Sequence, residues 1–342
     1  MRSAAPDWPV RLSWIGVALA LLVSAWLRAG GDAWWPAFVL LFGPRWVALG
    51  LVAFSLPLLI RRPLRGCVPL ALTVLVVLVG IMGWRVGPVR VGVGVPHGTT
   101  LRLLEYNVAT KLPVANAILA ELNDLRVDVA VLVECPRNAT PMPPVGPWQW
   151  RKAGELCLYS RYPIAHWRVR SQDDIWLIHG KAAVARGDVV VGADTLGVGL
   201  LHLKSPRDAL AELRHPTFAA HLPRLIDSVS RIRDLESGRA RTFIESNGGR
   251  EPLVIAGDFN TPVESRIFAR WWSGFSDAFE HAGIGFGYSW HSRWHGLRID
   301  HILGANGVVA RRTWIGPDLG SDHVPVIADL AIPAGQRISV AR

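Results

Sequence analysis

The sequence predicts an α/β fold with mixed β-sheets, preceded by an N-terminal region of transmembrane helices. Two patterns in the 342-residue chain lead to this prediction. Three long, uncharged apolar runs occur before residue 85. From Leu101 onward, short apolar runs of strand length alternate with segments of helical spacing. The connections between these runs suit both hairpins and crossovers, a mixture that is typical of α/β proteins with mixed sheets.

The same patterns divide the chain into four parts. Residues 1–90 are predicted to form a membrane region with about three transmembrane helices, and residues 91–99 a linker rich in Gly and Pro. Residues 100–335 are predicted to form the folded domain, and residues 336–342 a tail. Each of the three apolar runs, at 12–27, 46–60 and 68–84, lacks charge and approaches the length of a spanning helix. The stretch 34–42 is a candidate for partial insertion before the second run.

Tryptophans fall at the ends of these runs, where interfacial aromatic residues are expected. Two alternatives remain open: a buried helical core of a soluble domain, and a cleaved signal peptide for the first run. Arginine placement predicts the orientation, because loops rich in Arg and Lys stay in the cytoplasm. The arginines assigned to the cytoplasmic side are Arg2, Arg11, Arg61, Arg62 and Arg65. The sequence therefore predicts a multi-pass protein of the cytoplasmic membrane with residues 85–342 on the extracytoplasmic side.

The net charge of +10 is concentrated in the N-terminal region. The first 97 residues carry nine Arg and Lys residues against two acidic residues, Asp7 and Asp32. The remainder holds 28 basic and 25 acidic residues and is close to balanced. The folded domain therefore lacks the strongly basic surface of a nonspecific nucleic-acid binder. Its two cysteines, Cys135 and Cys157, are expected to be free buried thiols, with a disulfide as the alternative in an oxidising compartment.

The elements of the folded domain follow from its apolar periodicity. The predicted strands are 101–106, 127–133, 156–159, 182–185, 189–191, 198–202, 253–256, 299–303 and 324–330. The predicted helices are 114–125, 218–236 and 265–272. The second of these helices is amphipathic, with Leu222, Ile226 and Val229 among its regularly spaced apolar residues.

Polar side chains occur where many of these strands begin or end. They are Asn107, Glu134, His202, Asp258, Asn260, Asp300, Asp322 and His323. Strand ends are where open α/β folds assemble their sites. Carboxylates, amides and imidazoles are the groups needed to hold a hard divalent cation and to hydrolyse a phosphate ester. The sequence therefore predicts a metal-dependent enzyme rather than a generic globular domain.

Several motifs along residues 100–332 resemble the endonuclease/exonuclease/phosphatase superfamily, the deoxyribonuclease-I-like family. In order, they are NV (107–108), VLVE (131–134), YSRYP (159–163), LHL (201–203), GDFNTP (257–262), RIDHIL (298–303) and SDHVPV (321–326). The resemblance implies a four-layer sandwich in which two mixed sheets are flanked by helices. It also implies hydrolysis of a phosphate ester, most simply a phosphodiester, with Mg²⁺ or Mn²⁺ as the cofactor.

The resemblance also implies a role for each polar residue. The implied metal ligands are Asn107, Glu134 and Asp322. The implied catalytic residues are His202, Asp258, Asn260, Asp300 and His323. Among them, Asp258 would orient or deprotonate the attacking water, with support from Asn260. The two histidines would bind phosphoryl oxygens, and Asp300 would orient His323.

The substrate is predicted less closely. In the family, the loop before RIDHIL borders the substrate, so Trp290, Arg293 and Arg298 are candidates to contact a base, a headgroup or a phosphate. The expected partners are a nucleic acid, a phospholipid or a phosphorylated small molecule, together with the lipid bilayer, and no obligate protein partner is inferred. A noncatalytic membrane-anchored sensor or scaffold that retained the fold is the alternative. A Ser–His–Asp relay within 321–323 is excluded, because neighbouring residues of an extended chain face opposite ways.

Overall fold

The computed structural model describes residues 8–87, 99–136, 145–171, 180–192, 194–214, 218–246 and 251–333. The predicted tail and all of the predicted linker except Thr99 lie outside these ranges. The α-helices are α1 (Trp8–Gly30), α2 (Trp35–Phe42), α3 (Leu56–Arg61), α4 (Pro63–Leu75), α5 (Leu112–Glu121), α6 (Arg207–Ala211), α7 (Phe218–Glu245), α8 (Arg266–Trp271) and α9 (Ala278–Ala282). Two 3₁₀ helices (Arg45–Ser55 and Glu212–Arg214) and a π-helix (Val76–Ile81) continue or precede them.

Two helices in the N-terminal region are long and apolar enough to cross a membrane, Trp8–Gly30 and Pro63–Ile81. The pair Trp35–Phe42 and Arg45–Arg61 passes the same criterion only when taken together, and it is bent by 99° at its break. The chain turns sharply there because Gly43-Pro44 interrupts the helix, and proline cannot continue its hydrogen-bond ladder. The three apolar runs of the sequence thus correspond to these three helical stretches.

The strands of the described residues are β1 (Arg85–Val86), β2 (Thr99–Asn107), β3 (Val129–Val133), β4 (Gln149–Ala153), β5 (Leu156–Ser160), β6 (Ile164–Val169), β7 (Ala183–Val191), β8 (Asp194–His202), β9 (Leu253–Asp258), β10 (Ser276–Asp277), β11 (Ile284–Gly285), β12 (Trp290–His291), β13 (Gly296–Leu297), β14 (Asp300–Ala305), β15 (Val309–Ile315) and β16 (Val326–Ile332). Two six-stranded sheets contain most of them. The first has the order β15-β16-β2-β3-β5-β4, and the second has the order β10-β14-β9-β8-β7-β6.

Each sheet is mixed. The pairs β2–β3 and β8–β9 are parallel, and the other pairs within the two sheets are antiparallel. The inner faces of the two sheets share one apolar core, in which Leu103 and Val131 of the first sheet join Leu200 and Ala256 of the second. Alternate residues along a strand face opposite sides, so the outer faces are free to pack on helices.

Helices cover both outer faces. Ile118 of α5 lies in a cluster with Leu104 of the first sheet, and Ile244 of α7 lies in a cluster with Ile255 of the second. The layers are therefore helix, sheet, sheet and helix. The predicted four-layer α/β sandwich is confirmed.

The N-terminal helices pack directly against the folded domain. Phe38 of α2 and Ile81 share an apolar cluster with Ile226 of α7. A buried ion pair joins the same two regions, with Arg45 Nη1 2.8 Å from Glu264 Oε2. Burying such a pair is costly unless both partners are held in place. The helical region is thus docked on the domain through both apolar and charged contacts.

Cys135 and Cys157 form a disulfide, with their Cα atoms 6.2 Å apart. The expectation of free thiols was wrong. The reason lies in the register of the sheet, which sets Leu132 of β3 opposite Cys157 of β5. The chain then turns after β3, and the backbone N–H of Cys135 donates to the carbonyl of Glu155 at 2.8 Å. This turn brings the two buried sulfurs together, whereas Cys67 remains exposed.

Removing this cross-link is expected to destabilise the domain. Its two cysteines are 22 residues apart in sequence, and closing a loop of that size contributes about 3 kcal/mol in the chain-entropy model. The double variant Cys135→Ser, Cys157→Ser should therefore unfold at a lower temperature than the wild-type chain in detergent. Cys67→Ser is the matched control and should unfold like the wild type. Equal midpoints for all three chains under non-reducing conditions would contradict the prediction.

Candidate active site

The site forms where strand ends from the two sheets meet. Asn107 is the last residue of β2 in the first sheet, and Asp258 is the last residue of β9 in the second. The Nδ2 of Asn107 donates to Asp258 Oδ2 at 3.0 Å and to Glu134 Oε1 at 3.2 Å. Glu134 directly follows β3, the neighbour of β2. One amide thus connects two carboxylates that are far apart in sequence.

Glu134 adopts a backbone conformation that is unusual for its residue type. Its φ is +53°, in the left-handed region where residues other than Gly are strained by about 1 kcal/mol or more. Its side chain keeps 32% of its surface exposed, and the Thr110 hydroxyl donates to Glu134 Oε2 at 3.2 Å. Such conformations persist where surrounding contacts hold them and are frequent at functional sites. The turn leaves a carboxylate at the mouth of the site with part of its surface open.

Asp258 is held far more tightly. The backbone N–H of Asn260 donates to Asp258 Oδ1 at 2.8 Å, and the aspartate is only 2% exposed. Gly257 before it has a φ of +154°, and a Cβ there would lie 2.0 Å from the Leu201 carbonyl oxygen. Only glycine fits this close approach of β8 and β9. Burial and the nearby charge of Asp300 raise the pKa of Asp258 to about 6.

Two histidines approach the same carboxylate oxygen of Asp258. His202 Nε2 lies 3.8 Å from Asp258 Oδ2, and so does His323 Nε2. The Nδ1 atom of His202 contacts Glu155 Oε1 at 2.6 Å, and that of His323 contacts Asp300 Oδ2 at 2.8 Å. In each imidazole, a carboxylate therefore holds Nδ1, and Nε2 is directed toward Asp258.

The same contacts keep both histidines charged. Burial by itself lowers the pKa of His202, but the hydrogen bond with Glu155 and the charge of Asp258 raise it to about 9. Burial likewise lowers the pKa of His323, but the charge of Asp300 and its hydrogen bond raise it to about 9. An imidazole with a raised pKa is protonated below that pH. Both rings are thus donors at neutral pH.

Several groupings of these residues have the chemistry of a metal site. Asp258, Asp300 and His323 have ligand atoms within 4.8 Å of one another. The imidazole nitrogen of His323, however, suits softer metals better than Mg²⁺ or Mn²⁺. The Glu134 carboxylate suits a hard divalent ion better, because Mg²⁺ and Mn²⁺ prefer oxygen ligands. The Asn107 amide directs its nitrogen at this carboxylate, and its oxygen accepts from the backbone N–H of Ala109 at 2.9 Å, so the amide must turn over before its oxygen can face the ion. The partly open Glu134 carboxylate beside the buried Asp258 fits such an ion.

The third predicted metal ligand, Asp322, lies at the rim. Its Oδ2 accepts a hydrogen bond from Trp290 Nε1 at 3.2 Å and is 3.8 Å from an Arg207 nitrogen. The loop that carries Asp322 is nevertheless tied to β2, because the neighbouring Ser321 hydroxyl donates to the Asn107 carbonyl at 2.9 Å. The structure therefore brings Asn107 and Glu134 into contact and sets Asp322 beside Trp290.

The predicted substrate residues fall in different places. Trp290 lies next to Asp322, beside a cavity of about 540 Å³ that is lined in part by Asp322 and His323. Arg293 is exposed, and its guanidinium lies 5.3 Å from the ring centre of Trp294. Arg298 is 6% exposed and forms an ion pair with Glu280, and its contact with the substrate stays a prediction. The positive charge of Arg298 is therefore paired with the Glu280 carboxylate within the domain.

Two residues near the site were missed. Glu155 lies in the two-residue turn between β4 and β5, and its contact with His202 could have been sought only if β4 had been recognised. Glu105 is fully buried in β2, and neither of its carboxylate oxygens has a hydrogen-bond partner among the described residues. Burial and the charges of Asp300 and Asp258 raise its pKa well above the usual value. A charged residue two positions before Asn107, on the same face of an apolar strand, was the available signal.

The comparisons with solved structures give distant resemblances. A humanized D. rerio TDP2 with 14 mutations is 16% identical with a TM-score of 0.49, covering 68% of this chain and 98% of the other. An endonuclease/exonuclease/phosphatase from Bacteroides vulgatus is 16% identical with a TM-score of 0.48, covering 68% and 99%. The human Nocturnin catalytic domain with bound sulfate is 13% identical with a TM-score of 0.46, covering 68% and 94%. No curated protein matches the chain.

The family comparison is more direct. The model of the Endonuclease/Exonuclease/phosphatase family matches residues 104–323, which is more than half of the chain. The matched range contains all of the side chains that meet around Asp258, from Asn107 to His323. The chain therefore belongs to the endonuclease/exonuclease/phosphatase family.

Proposed function

We propose that this protein is a membrane-anchored hydrolase that cleaves phosphodiesters with the help of Mg²⁺ or Mn²⁺. Members of its family hydrolyse phosphoester bonds. The observation that carries the proposal is the arrangement around Asp258, a buried carboxylate whose Oδ2 has two charged imidazole nitrogens 3.8 Å away. A base beside two cationic donors suits the attack of water on an anionic ester.

The proposed mechanism divides the work among the residues of the site. Glu134 would hold the metal ion, and Asn107 would join it by turning its amide so that the oxygen replaces the nitrogen at the site. When bound, the ion neutralises phosphate charge and polarises a phosphoryl oxygen. Asp258 accepts the proton of the attacking water, since its raised pKa makes it a stronger base than an ordinary aspartate. As the water oxygen bonds to phosphorus, the P–O bond to the leaving group breaks, and the proton taken by Asp258 is passed through solvent to the leaving oxygen. The two imidazolium rings, of His202 and His323, donate to the phosphoryl oxygens as negative charge develops there.

The carboxylates that contact the two histidines orient these donors. Glu155 and Asp300 each occupy the Nδ1 side of one ring, so that the Nε2 side points to the substrate. Because these carboxylates favour the charged form of the ring, the donors need not be recharged between turnovers. The backbone N–H of Asn260 would keep the Asp258 carboxylate in one orientation throughout the reaction.

The same proposal includes the location of the active site outside the cytoplasm. One end of the helical region carries Arg61, whose guanidinium lies 4.7 Å from the ring centre of Trp8. Arg62 and Arg65 lie at the same helix–helix connection, and positively charged loops favour the cytoplasmic side. The opposite end is docked on the folded domain. The disulfide of the domain supports this orientation, because disulfides persist mainly in oxidising compartments.

The substrate class remains a phosphodiester of nucleic acid or of a phospholipid headgroup. The two are distinguished by giving the full chain, in detergent or in lipid nanodiscs, single-stranded DNA, RNA, phospholipids and the generic diester bis(p-nitrophenyl) phosphate. Magnesium or manganese is supplied in each case. Hydrolysis of at least one diester, abolished by a chelator and restored by the ion, is the expected result. Failure with every diester would overturn the proposal.

Asp258→Asn is expected to lower kcat for the generic diester by about 100-fold or more, because it removes a general base while preserving the shape of the side chain. Glu134→Gln should cause a comparable loss that a higher metal concentration partly restores. The matched control is Asp124→Asn, which changes an exposed carboxylate after α5. A variant at Asp258 with the kcat of the control would contradict the assignment.

The pH dependence provides a second prediction. The raised pKa of His323 keeps the ring protonated up to about pH 9, so activity should fall as the pH rises through that value. Asp300→Asn removes the charge that raises this pKa, so the alkaline fall in kcat/KM should move to lower pH. The pH–rate profile of Asp124→Asn should overlay that of the wild type. An alkaline limb that stays in place in Asp300→Asn would show that another group controls it.

A further inference from the structure

Asp32 introduces a charge from the N-terminal helices into the folded domain. It lies in the turn between α1 and α2 and is 4% exposed. Its Oδ2 accepts hydrogen bonds from the Ser265 hydroxyl at 2.5 Å and from the backbone N–H of Ile267 at 3.2 Å. Its Oδ1 lies 3.4 Å from Arg233 Nη1. A buried carboxylate requires partners of this kind, and all three belong to the domain.

Arg233 connects Asp32 to the ends of two central strands. It projects from α7 and is 1% exposed. Its Nη2 donates to the Asn260 carbonyl and to the Thr261 hydroxyl, both at 2.7 Å, and its Nε donates to the Lys204 carbonyl at 3.2 Å. Lys204 follows β8 and Asn260 follows β9. The rigid fork of one guanidinium therefore fixes two strand ends relative to each other.

The backbone at Asn260 depends on such support. Its φ is +49°, a left-handed conformation that asparagine adopts only at some cost. The side-chain amide donates to the Leu203 carbonyl at 2.9 Å, and the backbone N–H donates to Asp258 Oδ1 at 2.8 Å. The same strained residue thus receives the Arg233 contact and holds the carboxylate of the active site. A shift at Asn260 would be passed on directly to Asp258.

From these contacts, and resting on the hydrolase function proposed above, we propose that Asp32 is a positioning residue for the reaction. It orients Arg233, which holds the Asn260 turn and thereby the Asp258 carboxylate. The N-terminal helices are accordingly part of the scaffold of the active site as well as its anchor. The buried pair of Arg45 and Glu264 joins the helical region to the same segment, residues 258–265, and strengthens this connection.

The proposal is tested in the full chain in detergent with Asp32→Asn, which removes the charge and keeps the shape. The matched control is Arg85→Gln, because Arg85 makes another contact between the two regions, to Glu280 at 2.8 Å, without touching residues 258–265. Two quantities are measured: the kinetics with bis(p-nitrophenyl) phosphate and Mn²⁺, and the hydrogen exchange of peptides that cover residues 257–265.

In Asp32→Asn we expect kcat to fall between about 10-fold and about 100-fold, since displacement of a catalytic group by about 1 Å has effects of that size. KM should change little. Exchange should become faster within 257–265 and stay unchanged in β2 and β3. Arg85→Gln should match the wild type in both measurements. A wild-type kcat in Asp32→Asn, or a lowered kcat with unchanged exchange in this segment, would overturn the proposal.

The proposal can also be tested when the wild type is inactive or when Asp32→Asn does not fold. If the wild type cleaves no diester, the exchange measurement still applies: faster exchange confined to 257–265 supports the connection, and wild-type exchange overturns it. If Asp32→Asn does not fold, Arg233→Lys takes its place. Lysine keeps a positive charge near Asp32 but cannot reproduce the fork that reaches Asn260 and Thr261. In Arg233→Lys we expect the same changes in kcat and in hydrogen exchange. Their absence would show that Arg233 does not hold Asn260 and Asp258 in place.

Discussion

The face-to-face packing of the two sheets is the constraint on which the remaining structure depends. Leu103 of β2 and Ala256 of β9 lie in one core between the sheets, and this contact fixes how far apart the ends of their strands can be. The hydrogen bond from Asn107 to Asp258 spans that distance at the edge of the core. Because interiors are close-packed and yield little, the spacing of the polar groups is set by apolar residues beneath them.

The position of a strand within its sheet decides whether the strand can be predicted from the sequence. The central strands β3 and β9 are buried on both faces and appear as continuous apolar runs, and β2 is apolar apart from Arg102 and Glu105 in its interior, so their positions were predicted nearly correctly. The strands that were missed include β4, β6 and β15, which lie at the edges of their sheets. Edge strands carry exposed charges that interrupt the apolar pattern, as Arg311 and Arg312 do in β15.

Strand β7 shows a related limit. The sequence predicted two short strands because the polar residues Arg186 and Asp188 separate its apolar ends. In the structure the strand is continuous, since the Arg186 guanidinium is buried and donates to the Ile244 carbonyl at 2.6 Å. Partners distant in sequence, here on α7, decide whether a charge can lie inside a strand. The contact between Glu155 and His202 was beyond prediction for the same reason, although the residues at the ends of central strands were found.

The disulfide has a practical consequence for anyone who prepares this protein. Cys135 immediately follows Glu134, and Cys157 lies two residues after Glu155. A single covalent bond therefore joins the two segments that bring the acidic side chains of Glu134 and Glu155 to His202. Material produced in a reducing bacterial cytosol would hold these side chains by weaker forces alone. Expression in the cytoplasmic membrane with the folded domain exported to the periplasm, or oxidation of the detergent-solubilised chain with a glutathione redox couple, is the appropriate route to a sample in which this bond is formed.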